Sequence, residues 1–331
     1  MKRVYSNDFS RCLGDEIQEF FYLRDIQYTD NGQGNKWQKC VFSDKTGIRT
    51  GKAWSQYMNP AWNAYRGSIV QITGRVELFR DIYELSITGI RQAEAREYDS
   101  QDFERSIVED ERQLLIERFQ NLVHGVSSYA YRSLLMRAYG NQARFTRLCE
   151  LPAEWKHHHA YRGGWLEHTV DVTELALYLS DVCHSMRKRM FQTYVEVDKD
   201  LLVTGALLHD IGRLSTLNAG IEPRTTQRGY LVGAVNDSLV SISALNNLLP
   251  KEERVQDLTK LLHVVAGALG EGGNIPPQTL EALLLSDAKH AVIRANTYYS
   301  MFSDYDYEHL DSKREMVFSG YFGRQMMRGG W

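Results

Sequence analysis

Gly205-Ala206-Leu207-Leu208-His209-Asp210-Ile211-Gly212-Arg213 ends an apolar helical run on an adjacent histidine and aspartate. Nothing in helix packing asks for two strongly polar groups there, and burying them unpaired costs roughly several kcal/mol. A metal ion removes that penalty. Imidazole and carboxylate together suit Mn, Fe, Mg or Zn. A lone histidine on an apolar helix is most often a satisfied core residue; the His-Asp adjacency in this run is what points to an ion instead.

Working outward, His157-His158-His159-Ala160-Tyr161-Arg162-Gly163-Gly164-Trp165-Leu166-Glu167-His168-Thr169 places His168 at the start of a preceding helix. Downstream, Leu283-Leu284-Leu285-Ser286 leads to Asp287 on a later one. Three helices can therefore deliver His168, His209, Asp210 and Asp287 to one point. Four protein ligands would leave one or two octahedral positions for water and substrate.

The surrounding region, from Pro152 to about residue 302, reads as helices near 164–184, 199–211, 230–249, 254–268 and 277–302, broken at Gly and Pro. Before it, Phe103, Ile107, Leu114, Leu115, Phe119, Leu122 and Val123 recur at helical spacing from Asp102 onward, an amphipathic connector. Residues 15–92 have a different period. Short alternating runs (16–23, 37–42, 68–76, 83–87) are separated by turn clusters at Asp30-Asn31-Gly32-Gln33-Gly34-Asn35 and Asp44-Lys45-Thr46-Gly47. With the strand that the hairpin signal at 44–47 implies after it, five short strands in about 80 residues suggest a small closed barrel, most commonly the OB fold. The expected architecture is thus multidomain α+β: an OB-type β-barrel over 1–95, a helical connector over 96–151, and an all-α bundle over 152–331.

Composition fits a globular chain: 331 residues, 43% hydrophobic and 24% charged. No run approaches the roughly 18 apolar residues of a membrane span. The start, Met1-Lys2-Arg3-Val4-Tyr5-Ser6-Asn7-Asp8, lacks a signal-peptide core. Cys12, Cys40, Cys149 and Cys183 contain no CxxC pair, so a cysteine-zinc site is not expected; with this length and no export signal, reduced thiols in a cytoplasm are the expectation. Net charge is −3, which argues against binding nucleic acid by bulk charge alone.

The segments Gly163–Thr169, Leu207–Arg213 and Ser286–Ala291 resemble the ordered motifs of the HD superfamily of metal-dependent phosphohydrolases. The order of barrel and bundle is most similar to the YhaM-type 3′–5′ exoribonucleases, in which an OB fold precedes an HD domain. His158 to Gly164, Arg228-Gly229-Tyr230-Leu231-Val232-Gly233 and Leu262-His263-Val264-Val265 extend the resemblance. Three histidines of the family pattern are replaced, by Ala234, Ala268 and Leu269, and these help hold a second metal in two-metal relatives. The resemblance therefore implies one divalent ion per chain, with Mn favoured, held by His168, His209, Asp210 and Asp287. Arg213 stands where a lysine is common and keeps a positive charge for a phosphate.

The implied chemistry is in-line attack of a water on a phosphodiester, with Asp210 and Arg213 at the reacting group. His158 and His159 are expected beside the substrate or behind the ligands, His263 in a structural role, and Lys289 as a solvated lysine within reach of a phosphate. In the barrel, aromatics interleave with basic residues, and Lys52, Trp54 and Arg66 are the expected contacts to single-stranded RNA or DNA. A homo-oligomer is compatible with this reading; a membrane partner is not expected. Two alternatives stay open: a non-catalytic nucleic-acid-binding protein with a reduced HD site, and a nucleotide phosphohydrolase.

Overall fold

The computed structural model describes residues 2–30, 36–190 and 196–329. The turn cluster expected at 31–35 lies outside the described residues. The chain divides into two compact units: residues up to Arg105 together with those from Met301 onward, and Ser106–Ser300.

The first unit is built on a closed barrel of β1 (Glu16–Asp30), β2 (Lys36–Asp44), β3 (Gly47–Trp54), β4 (Ile69–Phe79) and β5 (Ile82–Gln92) in the order β1-β2-β3-β5-β4. β1 pairs antiparallel with β4, and β3 runs parallel to β5 through Gly51 and Leu85, which closes the barrel as an OB-type fold does. Alternation along β4 sends Val70, Ile72 and Val76 inward, where they meet Phe21, Phe42, Leu85 and Ile87. The β2–β3 hairpin turns at Lys45-Thr46, as its sequence predicts. The β4–β5 hairpin instead uses Arg80 and Asp81, both at positive φ, the twist that two-residue hairpin turns require. Gly74 sits at a bulge where a Cβ would lie 2.5 Å from the Ser86 carbonyl oxygen, so only glycine lets the two strands close.

The second unit contains α1 (Glu109–Gly125), α2 (Tyr129–Tyr139), α3 (Gln142–Glu150), α4 (Gly164–Met190), α5 (Lys199–Leu208), α6 (Arg213–Thr216), α7 (Gln227–Leu231), α8 (Ala234–Asn247), α9 (Thr259–Ala266) and most of α10 (Leu280–Glu308). A two-residue pairing, β6 (Leu217–Asn218) with β7 (Arg224–Thr225), lies between α6 and α7. Every residue of α5 from Leu201 to Leu208 is buried. Asp198 caps the helix by accepting the Leu201 N–H at 2.9 Å. A helix apolar on all sides belongs in the middle of its bundle. No helix among the described residues is long and apolar enough to cross a membrane.

These units depart from the expected 1–95, 96–151 and 152–331 partition in two places. The connector helices are part of the bundle: Leu115, Phe119, Leu134, Phe145 and Leu148 share one core with Trp165 and Leu207. Its first helix starts at Glu109 rather than near Asp102, and Phe103 is buried against Tyr98 in the barrel unit. The chain from Met301 onward, for which the sequence suggested no role, joins the barrel. Asp311 pairs with Arg49 and accepts the Tyr83 N–H at 2.9 Å, and the Tyr307 hydroxyl donates to the Asp44 carbonyl at 2.7 Å. It ends in a short hairpin of β8 (Met316–Ser319) and β9 (Arg324–Met327).

Candidate metal centre

His209 follows the last residue of α5 and is completely buried. Its Nδ1–H donates to the Ala206 carbonyl at 2.6 Å, which fixes the tautomer and leaves a lone pair on Nε2. That Nε2 stands 3.3 Å from His168 Nε2 on α4 and 3.5 Å from Asp210 Oδ2. His168 Nε2 and Asp210 Oδ2 are 3.7 Å apart. Donors bonded to one ion at about 2.1 Å sit about 3–3.6 Å from each other, so this spacing is that of a ligand set. His168, His209 and Asp210 together could hold a metal ion.

The satisfaction of the polar atoms tests that fit. Asp210 Oδ2 is buried without a hydrogen-bond partner, and so is His168 Nδ1. Buried polar atoms almost always find a partner, so an orphaned carboxylate oxygen facing two imidazole nitrogens fits a site that could hold a cation. Protonation states agree. Burial pushes His168 well below the usual imidazole range and His209 down to about 4, so both rings are neutral ligands at neutral pH. Burial opposes ionisation of Asp210, but the charges of Lys289 and Arg213 overcome it and hold the carboxyl well below its ordinary value.

Local sequence explains the aim of each side chain. The Trp165 indole N–H donates to the Asp210 carbonyl at 3.1 Å and locks the start of α4 onto the end of α5. The sequence pattern did not mark that tie, because tryptophan at a helix start reads only as core. Gly212 brings the turn after Asp210 against α8: a Cβ there would lie 2.4 Å from the Ala234 carbonyl oxygen. Its N–H donates to Ser238 Oγ at 2.9 Å.

His158 and His159 also face His168, each ring centroid 5.1 Å from it, and their Nδ1 atoms are 3.2 Å apart. Successive side chains ordinarily diverge. His159 adopts a left-handed φ of 47°, which lets both rings point inward. Burial lowers both to about 3. With His168 they form a second grouping that could hold an ion.

Two expectations on α10 are corrected. Asp287 is exposed and lies outside every grouping among the described residues that could hold a metal ion. Lys289 is not solvated: it is buried, and its Nζ donates to Asp210 Oδ1 at 3.3 Å. Two residues on a helix are separated by roughly 200°, so when Lys289 faces inward Asp287 must face out. Arg213 lies 3.8 Å from Asp210 Oδ2 through Nε and is partly exposed. His263 accepts the Gln278 N–H through Nε2 at 2.9 Å, in keeping with a structural role. Ala234 starts α8 against Gly212, and Ala268 is buried while Leu269 is exposed just after α9.

In the barrel, Trp54 is 40% exposed and its ring lies 6.0 Å from that of Trp37 on β2. Arg66 is exposed and pairs with Asp25 at 3.1 Å. The Lys52 ammonium is tied to Glu84 at 2.7 Å and lies over the Phe79 ring, so its charge is already answered within the barrel.

Comparison with known proteins adds three findings. Residues 165–290 match the family model described as the HD domain. Curated relatives include the 3′–5′ exoribonuclease YhaM of Oceanobacillus iheyensis, 24% identical over 285 residues and covering 83% of each chain. The protein of that name from Bacillus subtilis is 22% identical over 275 residues, covering 82% of this chain and 83% of its own. A crystal structure of asparaginyl-tRNA synthetase from Pyrococcus horikoshii aligns at 12% identity over 78% of this chain and 61% of that one. Its TM-score of 0.23 supports no argument.

Proposed function

We propose that the chain is a metal-dependent phosphodiesterase that shortens single-stranded nucleic acid from its 3′ end, with RNA as substrate and a cytoplasmic location. One divalent ion, Mn favoured, is held by His168, His209 and Asp210. The observation that carries this reading is the orphaned Asp210 Oδ2 facing the Nε2 atoms of His168 and His209 within 3.7 Å. The HD match and the exoribonuclease relatives support the reaction class. The barrel supports a polymer over a mononucleotide, since an exposed Trp54 beside Trp37 offers a stacking platform.

When bound, a divalent ion supplies a lowered water pKa and positive charge against the phosphoryl group. The chain's own residues do the rest. Ala206 holds His209 in the tautomer that presents Nε2. Lys289 and Arg213 keep Asp210 ionised. Arg213 is the cation of the centre that reaches solvent, placed to offset phosphoryl charge. His158 and His159, uncharged at neutral pH, border the ligands and can meet substrate oxygens.

Incubating the full chain with Mn²⁺ and 5′-labelled single-stranded RNA or DNA tests the reading. Stepwise shortening that disappears in His209→Ala and Asp210→Asn supports it. A second reading is favoured by Lys289, which gives Asp210 a counter-charge without a metal: a non-catalytic nucleic-acid-binding protein. It requires binding without shortening, unchanged by either substitution.

A further inference from the structure

Lys289 gives this centre a cation of its own. It sits on the buried face of α10, 5% exposed, among Leu285, Ala288 and the residues at the end of α5. An apolar side chain of similar length would fill that space without the cost of desolvating an ammonium. Its one polar contact is Asp210 Oδ1 at 3.3 Å, and no other hydrogen bond to the ammonium is made among the described residues. The two oxygens of Asp210 are thereby divided. Oδ1 faces the ammonium, and Oδ2 faces the two imidazole nitrogens with no hydrogen-bond partner, Arg213 Nε lying 3.8 Å away.

We infer that Lys289 sets the metal affinity of the centre: its ammonium neutralises Asp210 and reserves Oδ1, so a divalent ion is held by one carboxylate oxygen, weakly and exchangeably. The inference rests on the metal-binding reading above and goes beyond it. Two cations sharing one buried carboxylate repel each other, and the water-poor surroundings screen that repulsion poorly. The same ammonium keeps Asp210 paired when no ion is present, so the bundle does not depend on metal for its fold. The helix expected to bring a fourth, anionic ligand through Asp287 instead turns the positive charge of Lys289 to the centre, which lowers the attraction of the site for any divalent ion.

The test is equilibrium dialysis of the full chain against Mn²⁺ alone, with melting curves recorded across the same titration. The wild type, Lys289→Met, Lys289→Gln and Lys289→Arg are compared, with Asp210→Asn marking the site. The inference expects one weakly held Mn²⁺ in the wild type and at least tenfold tighter binding in Lys289→Met and Lys289→Gln. It expects Lys289→Arg, which keeps the charge, to stay within about threefold of the wild type. The uncharged variants should melt lower without metal and recover more on adding Mn²⁺ than the wild type does. If Lys289→Met folds poorly, Lys289→Gln, which can still donate to Asp210, carries the comparison. Equal or weaker binding in the uncharged variants, with the wild type binding one ion, overturns the inference and leaves the metal-dependent reading standing. Binding by the uncharged variants alone supports the inference and removes metal dependence from the native chain. Binding by none overturns both.

Discussion

His168 and His209, on different helices, face each other Nε2 to Nε2 at 3.3 Å, and the Nδ1–H of His209 is already given to the Ala206 carbonyl. The facing nitrogen of His209 therefore carries a lone pair. Two imidazole nitrogens at this distance repel unless a proton or a cation lies between them, and the orphaned Asp210 Oδ2 turns toward the same space. A shared ion satisfies all three atoms at once.

Asp210→Asn keeps the side-chain shape and removes the charge. It should abolish stoichiometric Mn²⁺ binding and lower RNA shortening by at least a hundredfold, while RNA affinity changes less than threefold. Single-turnover assays on 5′-labelled RNA, paired with a filter-binding titration, read both quantities. Loss of RNA affinity in step with activity would contradict the assignment.

Asp287→Asn should leave metal binding and activity within twofold of the wild type, and stability within about 0.5 kcal/mol, as for surface substitutions generally. Its side chain is exposed on the opposite face of α10 from Lys289. A large loss of metal in this variant would restore Asp287 as a ligand.

The metal-free chain should lose stability in acid. His209 is held down to about 4, and His158 and His159 to about 3, against 6.5 for an unburied histidine. Between those values the unfolded chain binds protons that the folded chain refuses. Stability is thus fully present above pH 6.5 and falls as pH drops toward 4 and then 3. For His209 alone the loss by pH 4 is on the order of 3 kcal/mol. Urea melts across pH 4–7 check this, and a combined His158→Gln and His159→Gln variant should flatten the profile.

Substitutions in the barrel should separate stacking from charge. Trp54→Ala should weaken RNA binding about tenfold, in the range measured for losing one base-stacking partner. Arg66→Gln should reduce the salt dependence by about 0.7 in slope, the value for one phosphate contact on a single strand. Lys52→Gln should do less than either, because Glu84 already holds that ammonium. Binding titrations at several salt concentrations distinguish the three.

Much of this protein was legible in the order of its residues. The change of period after Gln92, the turn residues at Lys45-Thr46 and the apolar run into His209-Asp210 mark a barrel, a bundle and a candidate pair of metal ligands, because local periodicity and turn chemistry are properties of neighbouring residues. His168 could also be placed, since its segment carries its own helix start. What only the tertiary structure decided was the phase of α10 and the company its residues keep. Leu283-Leu284-Leu285 is apolar on every side and does not say which face is inward, so Asp287 looked like the ligand by its chemistry alone. Packing buries Leu285, Ala288 and Lys289 and leaves Leu283 and Asp287 exposed, which turns a lysine to Asp210. The attachment of Asp311 to Arg49 and Tyr83 was hidden for the same reason. A contact across more than two hundred residues is set by how elements pack, and no local pattern encodes it.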